Sequence, residues 1–92
     1  MQSIIQADKE CFLTGRTDWL EKHHIFGGAN RSNSEKYGLW VWLNHYYHNE
    51  PPDGVHFNRE RRRELQAIGQ RAFEERFPDK DFKKMFGRNY VE

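Results

Sequence analysis

The sequence predicts a small α+β domain in which two strands are followed by one long helix. Its 92 residues suffice for one domain and not for two, so residues 1–92 are taken as a single unit. The segment LWVWL, residues 39–43, is bulky and apolar and has the two-residue period of a strand. Apolar side chains recur at helical spacing between Leu65 and Phe77. The predicted order is therefore strand, loop, strand and helix.

The first strand is predicted within residues 17–26. The alternation of a strand places Glu21 and His23 on one face and His24 on the other. Residues 27–38 contain three Gly, two Asn and two Ser, which is typical of a loop. The sequence therefore brings two adjacent histidines to the end of a strand, beside a polar loop.

The second half of the chain begins with a polar, aromatic turn or short helix at residues 44–50. Asn58 is a suitable N-cap for the long helix, which should end near Phe77 because Pro78 follows. A last short helix should be capped by Asp79 or Asp81, carry Phe82, Met85 and Phe86, and end at Gly87. The predicted core consists of Leu39, Val41, Leu43, Leu65, Ile68 and Phe73.

Composition excludes several classes of protein. No apolar run approaches the ~18 residues of a membrane span, and the first residues, MQSIIQADKECF, have no apolar region typical of a secretory signal. Cys11 is the only cysteine, so no disulfide can form within the chain. We therefore expect a cytoplasmic protein.

Basic residues are concentrated towards the end of the chain. The net charge is only +1, but residues 57–92 hold 10 Lys or Arg against 7 Asp or Glu. Their densest run comprises Arg59, Arg61, Arg62 and Arg63. Such a run can bind phosphate, but Glu60 and Glu64 are interleaved with it. From charge alone, a solvated helix face is the favoured interpretation.

All five histidines lie in about a third of the chain, between residues 23 and 56. They are His23, His24, His45, His48 and His56. Histidine is the commonest metal ligand and is well suited to proton transfer near neutral pH. The cluster predicts a site that holds one divalent metal with two or three imidazoles and leaves another free.

These segments resemble a known family. EKHHIFGG, followed by a strand and LNHYYHN, resembles the HNH endonucleases, the ββα-metal or His-Me finger nucleases. More narrowly, HHIFGGANR, SEKYGL, GVHFN and AIGQRAFE are similar to small phage and prophage HNH-type proteins related to the phage recombination-enhancement nuclease. The resemblance covers about residues 10–77 and leaves 78–92 as a short helix and tail. It implies a ββα-metal core with a long C-terminal helix.

The resemblance also implies roles for individual residues. In the family, the first residue of the strand-end pair binds metal and the second is the general base, so His23 becomes a ligand and His24 the base. His48 becomes a second ligand, and His56, in the GVH element, is our choice for a third. His45 is expected to be an ordinary surface residue. Arg31 in the loop, with Arg59, Arg61 and Arg62, is a candidate for binding phosphate of DNA.

Two departures from the family pattern bear on these roles. Many members hold a structural zinc in two Cys-x-x-Cys knuckles, whose positions here are Cys11, Thr14, Asn44 and Tyr47. Three of the four thiolates are missing, so we expect no zinc there. The middle Asn of the motif would fall near Gly38 or Leu39. Orientation of His24 must then come from another group, and the candidates are a backbone carbonyl, Asn30 and Asn44.

The implied activity is metal-dependent hydrolysis of DNA phosphodiester bonds. A neutral His24 would take a proton from the attacking water, and one divalent ion would stabilise the charge at phosphate. Mostly imidazole ligation tolerates Zn²⁺, Ni²⁺ or Mn²⁺ as well as Mg²⁺, and the sequence does not choose among them. DNA is the implied partner, other recombination or phage proteins stay open as partners, and the oligomeric state is not predicted.

Two other functions stay open. One is a zinc-stabilised nucleic-acid-binding module, with Cys11, His45 and His48 plus His23 or His24 as ligands. The other is an HNH-derived DNA-binding protein that has lost catalysis. A water-accessible metal position favours the nuclease, a closed tetrahedral site that includes Cys11 favours the module, and an intact fold without nicking favours the inactive protein.

Overall fold

A computed structural model describes residues 1–91 and confirms a small α+β architecture. Two antiparallel strands form the only sheet within that range. The elements in chain order are β1 (Leu20–His24), a 3-10 turn (Gly28–Asn30), α1 (Arg31–Lys36), β2 (Trp40–Asn44), α2 (His45–Asn49), α3 (Arg59–Arg76) and α4 (Phe82–Phe86). Both predicted strands and the long helix are therefore present. Among residues 1–91, no helix is both long and apolar enough to cross a bilayer.

The register of the two strands sorts the histidines onto different faces. Glu21 lies opposite Leu43 and His23 opposite Val41, whereas His24 lies opposite Trp40. Val41 and Leu43 are fully buried, so the face that carries His23 is the one packed into the core. The alternation predicted from the sequence is confirmed, and the two adjacent histidines point in opposite directions.

The long helix α3 packs through a face slightly different from the predicted one. Asn58 caps it as expected, because its side chain accepts a hydrogen bond from the backbone N–H of Arg61. Its buried positions are Leu65, Gly69, Gln70 and Phe73. Ile68, predicted in the core, is 36% exposed, and this prediction is wrong.

Gly69 explains why the buried face is displaced from Ile68. A Cβ at this position would lie 3.0 Å from the Ile25 side chain and 3.1 Å from the ring of Phe26. The missing side chain therefore lets α3 approach the residues that follow β1. Leu65 and Phe73, four positions away on either side, lie on the same row of the helix.

The segment predicted as a loop at 27–38 contains helix α1, which is a correction to the sequence analysis. Ser34 is fully buried, and its hydroxyl donates to the carbonyl of Phe26 and accepts from the N–H of the same residue. These two bonds fasten α1 to the end of β1. Gly, Asn and Ser residues are poor helix formers, so the composition of the segment indicated a loop and the short helix α1 was not predicted.

The C-terminal helix α4 agrees with the prediction. Asp81 caps it by accepting from the N–H of Lys84, and Gly87 ends it with a φ of +88°. Phe82 and Phe86 are buried against Phe73. The aromatic rings therefore form one core that joins α3, α4 and the end of β1.

Candidate metal centre

Three of the five histidines converge on one point. His23 comes from β1, His48 from α2 and His56 from the loop before α3. One ring nitrogen of each lies within 4.8 Å of those of the other two. Nε2 of His48 is 3.0 Å from Nε2 of His56, and the His23 ring meets both others edge-on, with centroids 5.1 and 5.3 Å apart. These residues are the three ligands predicted from the sequence.

His23 is the buried member of this cluster. It is 4% exposed, and its Nε2 is buried without a hydrogen-bond partner among residues 1–91. Burial, followed by the nearby His48 and His56, lowers the pKa of His23 to about 3. The ring is therefore neutral at physiological pH. An unpartnered buried nitrogen is costly in a folded protein, and a cation in the cluster would remove that cost.

Glu21 fixes the orientation of His48, the second predicted ligand. Its Oε1 accepts from Nδ1 of His48 at 2.8 Å and from the side chain of Asn49 at 2.7 Å. An Nδ1–H that faces a carboxylate leaves the lone pair on Nε2, which is the nitrogen directed at His56. Carboxylates orient metal-binding histidines in this way in many proteins.

His45 does not join the cluster. Its Nδ1 lies 2.8 Å from Oε2 of Glu21 and its Nε2 lies 3.0 Å from Oε1 of Glu50. Hydrogen bonds to the carboxylates of Glu21, which has the larger effect, and of Glu50 raise the pKa of His45 above 6.5. Two carboxylates facing the ring favour its cationic form, and neither nitrogen is directed at the three-histidine cluster.

His24, the predicted general base, lies on the opposite face of the sheet from His23. Its Nε2 is 3.4 Å from a carboxylate oxygen of Glu35 in α1. Burial lowers the pKa of His24, Glu35 partly opposes this, and Arg31 and Lys22 lower it further, so the pKa lies below 6.5. At neutral pH the ring is uncharged and can accept a proton.

One open groove of about 280 Å³ is lined both by the three-histidine cluster and by His24. It lies where β1 ends, because the strand stops at His24 and glycines follow. Arg31 borders it from α1. The full lining is Lys22, His23, His24, Gly27, Gly28, Arg31, His48 and His56. A ligand in this groove would contact the three-histidine cluster and His24 at the same time.

Neither asparagine proposed to orient His24 bonds to it. The side-chain amide of Asn30 donates to the carbonyl of Phe86 and so fastens the loop to α4. Asn44 donates to the carbonyl of Asp18 and accepts from the N–H of Tyr46, which caps α2. Both side chains are occupied by structural bonds, and Glu35 is the group that faces His24.

The predicted phosphate-binding arginines occupy different places. Arg31 is exposed and lines the histidine groove. Arg62 donates to the carbonyl of Val55 at 3.2 Å, next to His56. Arg61 lies over the ring of Tyr47, and Arg59 is exposed at the start of α3. Only Arg31 among them borders the histidine groove.

Cys11 lies beside Thr14 and Asn44, two of the three positions predicted from the sequence to lack a zinc-binding thiolate. Burial raises the pKa of its thiol, but hydrogen bonds involving the backbone of Asn44 and the side chain of Thr14 outweigh this and lower the pKa below 9.0. The thiol is buried and does not belong to the three-histidine group. Cys11 instead forms part of the buried hydrophobic core.

The chain was compared with known proteins at the level of sequence and of fold. No family model, curated protein or solved structure matches it. The function must therefore be inferred from the groove itself.

Two residues of the site, Glu21 and Glu35, were missed by the sequence analysis. A signal existed for Glu21, because strand alternation already placed it on the face of His23. No signal existed for Glu35, since it lies in a segment predicted as a loop, and only the helical turn of α1 brings it to His24.

Proposed function

We propose that this protein is a metal-dependent DNA endonuclease that hydrolyses phosphodiester bonds at the histidine groove. The observation that carries the proposal is the common groove of a three-histidine cluster, a neutral fourth histidine and an arginine. Hydrolysis of a phosphodiester needs three functions from a protein: neutralisation of the developing charge, a base for the attacking water and a contact to a non-bridging oxygen.

The residues present fit a divalent metal ion. His23, His48 and His56 would hold it, since neutral imidazole is the form that binds metal. His23 offers a buried nitrogen with no other partner. The 3.0 Å between Nε2 of His48 and Nε2 of His56 requires a single proton or a single cation between them, because two lone pairs at that distance repel each other. Three protein ligands would leave a position for water or substrate.

His24 supplies the proton transfer. Its ring is neutral at pH 7 and faces Glu35 with one nitrogen, so a proton held on that side leaves a lone pair on the other nitrogen for the attacking water. General-base catalysis of this kind accelerates a reaction by roughly 10²–10⁴-fold. When bound, the metal would act as a Lewis acid that stabilises the charge of the transition state and of the leaving oxygen.

Arg31 positions the phosphate. It lines the groove together with His24, and a guanidinium can donate two parallel hydrogen bonds to a phosphodiester. The substrate would then lie between Arg31 on one side and the three-histidine cluster on the other.

The layout of the elements supports a ββα-metal, or His-Me finger, arrangement. The proposed base and one ligand end β1, and α2 follows β2 directly with the next ligand, His48. Cys11, Thr14 and Asn44 are neighbours, as the ligand positions of a lost zinc knuckle would be. An imidazole-only ligand set favours Zn²⁺ or Ni²⁺, whereas Mg²⁺ and Mn²⁺ prefer oxygen ligands.

Nicking of supercoiled plasmid DNA tests the proposal. Purified protein is incubated with the plasmid in EDTA and then with Mg²⁺, Mn²⁺, Ni²⁺ or Zn²⁺ in turn. We expect nicked circles with at least one ion and none in EDTA. The control is a His23→Asn, His48→Ala double variant, which should be inactive with every ion. Equal nicking by this variant and the wild type would refute the site.

A zinc-stabilised binding module is the main alternative. It needs Cys11, His45 and His48 around one ion. The contacts count against it, because both ring nitrogens of His45 face carboxylates and Cys11 lies outside the cluster. The plasmid assay separates the nuclease from an inactive DNA-binding relative, which would bind DNA without nicking it.

A further inference from the structure

A second surface of the protein carries five arginines. Two adjoining grooves of about 440 and 170 Å³ lie between α3 and residues 88–91, and they share Arg63 and Arg88. Together the arginines that line them are Arg59, Arg62, Arg63, Arg71 and Arg88. No carboxylate of residues 1–91 lines either groove. We call this surface the arginine groove.

A buried glutamine fixes the far wall of the arginine groove. Gln70 of α3 is 2% exposed. Its amide donates to Oδ1 of Asn89 and its oxygen accepts from the N–H of Tyr90, both at 2.6 Å. The ring of Tyr90 packs against Phe26, and Arg88 lies over that ring. The tail is thus fastened along α3, with Arg88 held across from Arg63.

The arginines of this groove have few partners of opposite charge. Within the described part of the chain, none of Arg59, Arg63, Arg71 or Arg88 forms an ion pair with a carboxylate. Like charges lined up along a groove repel one another and attract polyanions. The spacing suits an extended ligand, because Arg59 and Arg71 are 12 residues apart on one helix, which is about 18 Å.

The arginine groove begins beside the candidate metal centre. Arg62 lines it and also donates to the carbonyl of Val55, the residue before the proposed ligand His56. A polyanion whose scissile phosphate lies at the histidine groove would therefore pass Arg62 first and then follow α3.

We propose that the arginine groove binds the phosphate backbone of DNA that flanks the cleaved bond. This rests on the proposed nuclease function and extends it to a polymeric substrate. Each strand of a duplex carries one phosphate for every ~3.4 Å of helix axis, so a span of about 18 Å along that axis corresponds to roughly five nucleotides. Binding here depends on charge and not on base sequence.

Duplex binding in EDTA tests the groove separately from catalysis. Fluorescence anisotropy of a labelled duplex is measured over a range of salt concentrations for the wild type and for an Arg63→Ala, Arg88→Ala double variant. We expect affinity to fall about two- to fivefold for each arginine. The slope of log K against log salt should fall in magnitude by about 2, one for each lost phosphate contact.

Two further variants control this experiment. Arg76→Ala removes one arginine charge from α3 outside the groove and should keep the wild-type slope. Arg63→Lys with Arg88→Lys keeps the charges and should restore most of the slope. A double alanine variant with the slope of Arg76→Ala would overturn the groove proposal, as would a wild type that does not bind duplex DNA. Absence of nicking with intact binding would instead count against the nuclease function alone.

Discussion

Replacing Glu21 by Gln tests how the candidate metal centre is built. The Glu21 carboxylate accepts hydrogen bonds from His48 and Asn49 at Oε1 and faces His45 at Oε2. A carboxamide has one oxygen and one NH₂ group. In either orientation the NH₂ group faces an N–H that the carboxylate of Glu21 had accepted from, so one of those hydrogen bonds is lost. We therefore expect His48 to lose its fixed orientation.

The expected effect is a 10- to 100-fold loss of metal affinity, which is usual when the carboxylate partner of a metal-binding histidine is removed. This corresponds to about 1.4–2.7 kcal/mol. Titration calorimetry with Zn²⁺ or Mn²⁺ at pH 7.5 measures it directly. Thermal melting of the same samples checks that the variant is folded.

Glu35→Gln is the matched control. It makes the same chemical change on the other side of the sheet, where Glu35 contacts His24 and Lys22 and none of the three proposed ligands. Its metal affinity should equal that of the wild type. The interpretation of the site would be refuted if Glu21→Gln bound metal as tightly as Glu35→Gln.

His23, His56 and Phe73 each support one further prediction. In EDTA, the unfolded chain binds a proton at His23 near pH 6.5 while the folded state resists it down to about pH 3, so acid favours unfolding. The free energy of unfolding of the wild type, relative to that of His23→Asn, should therefore fall by about 2 kcal/mol between pH 8 and pH 5. Urea unfolding at both pH values measures it, and the same difference at both would contradict a buried, neutral His23. His56→Ala should weaken metal binding as His48→Ala does, and calorimetry showing wild-type affinity would remove His56 from the ligand set. Phe73→Ala should cost about 3–5 kcal/mol because the ring is fully buried, whereas Ile68→Ala should cost under about 1 kcal/mol; equal losses in denaturant unfolding would contradict the observed packing.

Much of the fold could be predicted because its signals are local. The alternation in LWVWL defines β2, and the caps Asn58 and Asp81 define the starts of α3 and α4. The grouping of all five histidines between residues 23 and 56 predicted a cluster, and the resemblance to the HNH nucleases singled out His23, His48 and His56 as its ligands. Each of these predictions depends on residues close together in sequence or on one known pattern.

The rest depends on contacts between distant residues. Gly69 is buried in place of Ile68 because α3 lies close to Phe26. The spacing of apolar residues along the helix does not indicate this contact. Helix α1 is stabilised by the bonds of Ser34 to the end of β1. Because the position of Glu35 depends on that helix, its contact with His24 could not be predicted either.

Replacing His24 by Ala tests the central claim most directly. The variant is compared with the wild type in plasmid nicking, with the most active ion, and in metal titration by calorimetry. A general base contacts water and not the ion, so nicking should fall by roughly 10²–10⁴-fold while metal affinity stays within about twofold of the wild type, since the three clustered nitrogens are untouched. Nicking at the wild-type rate, or metal affinity lost together with activity, would contradict the assignment of His24 as the base.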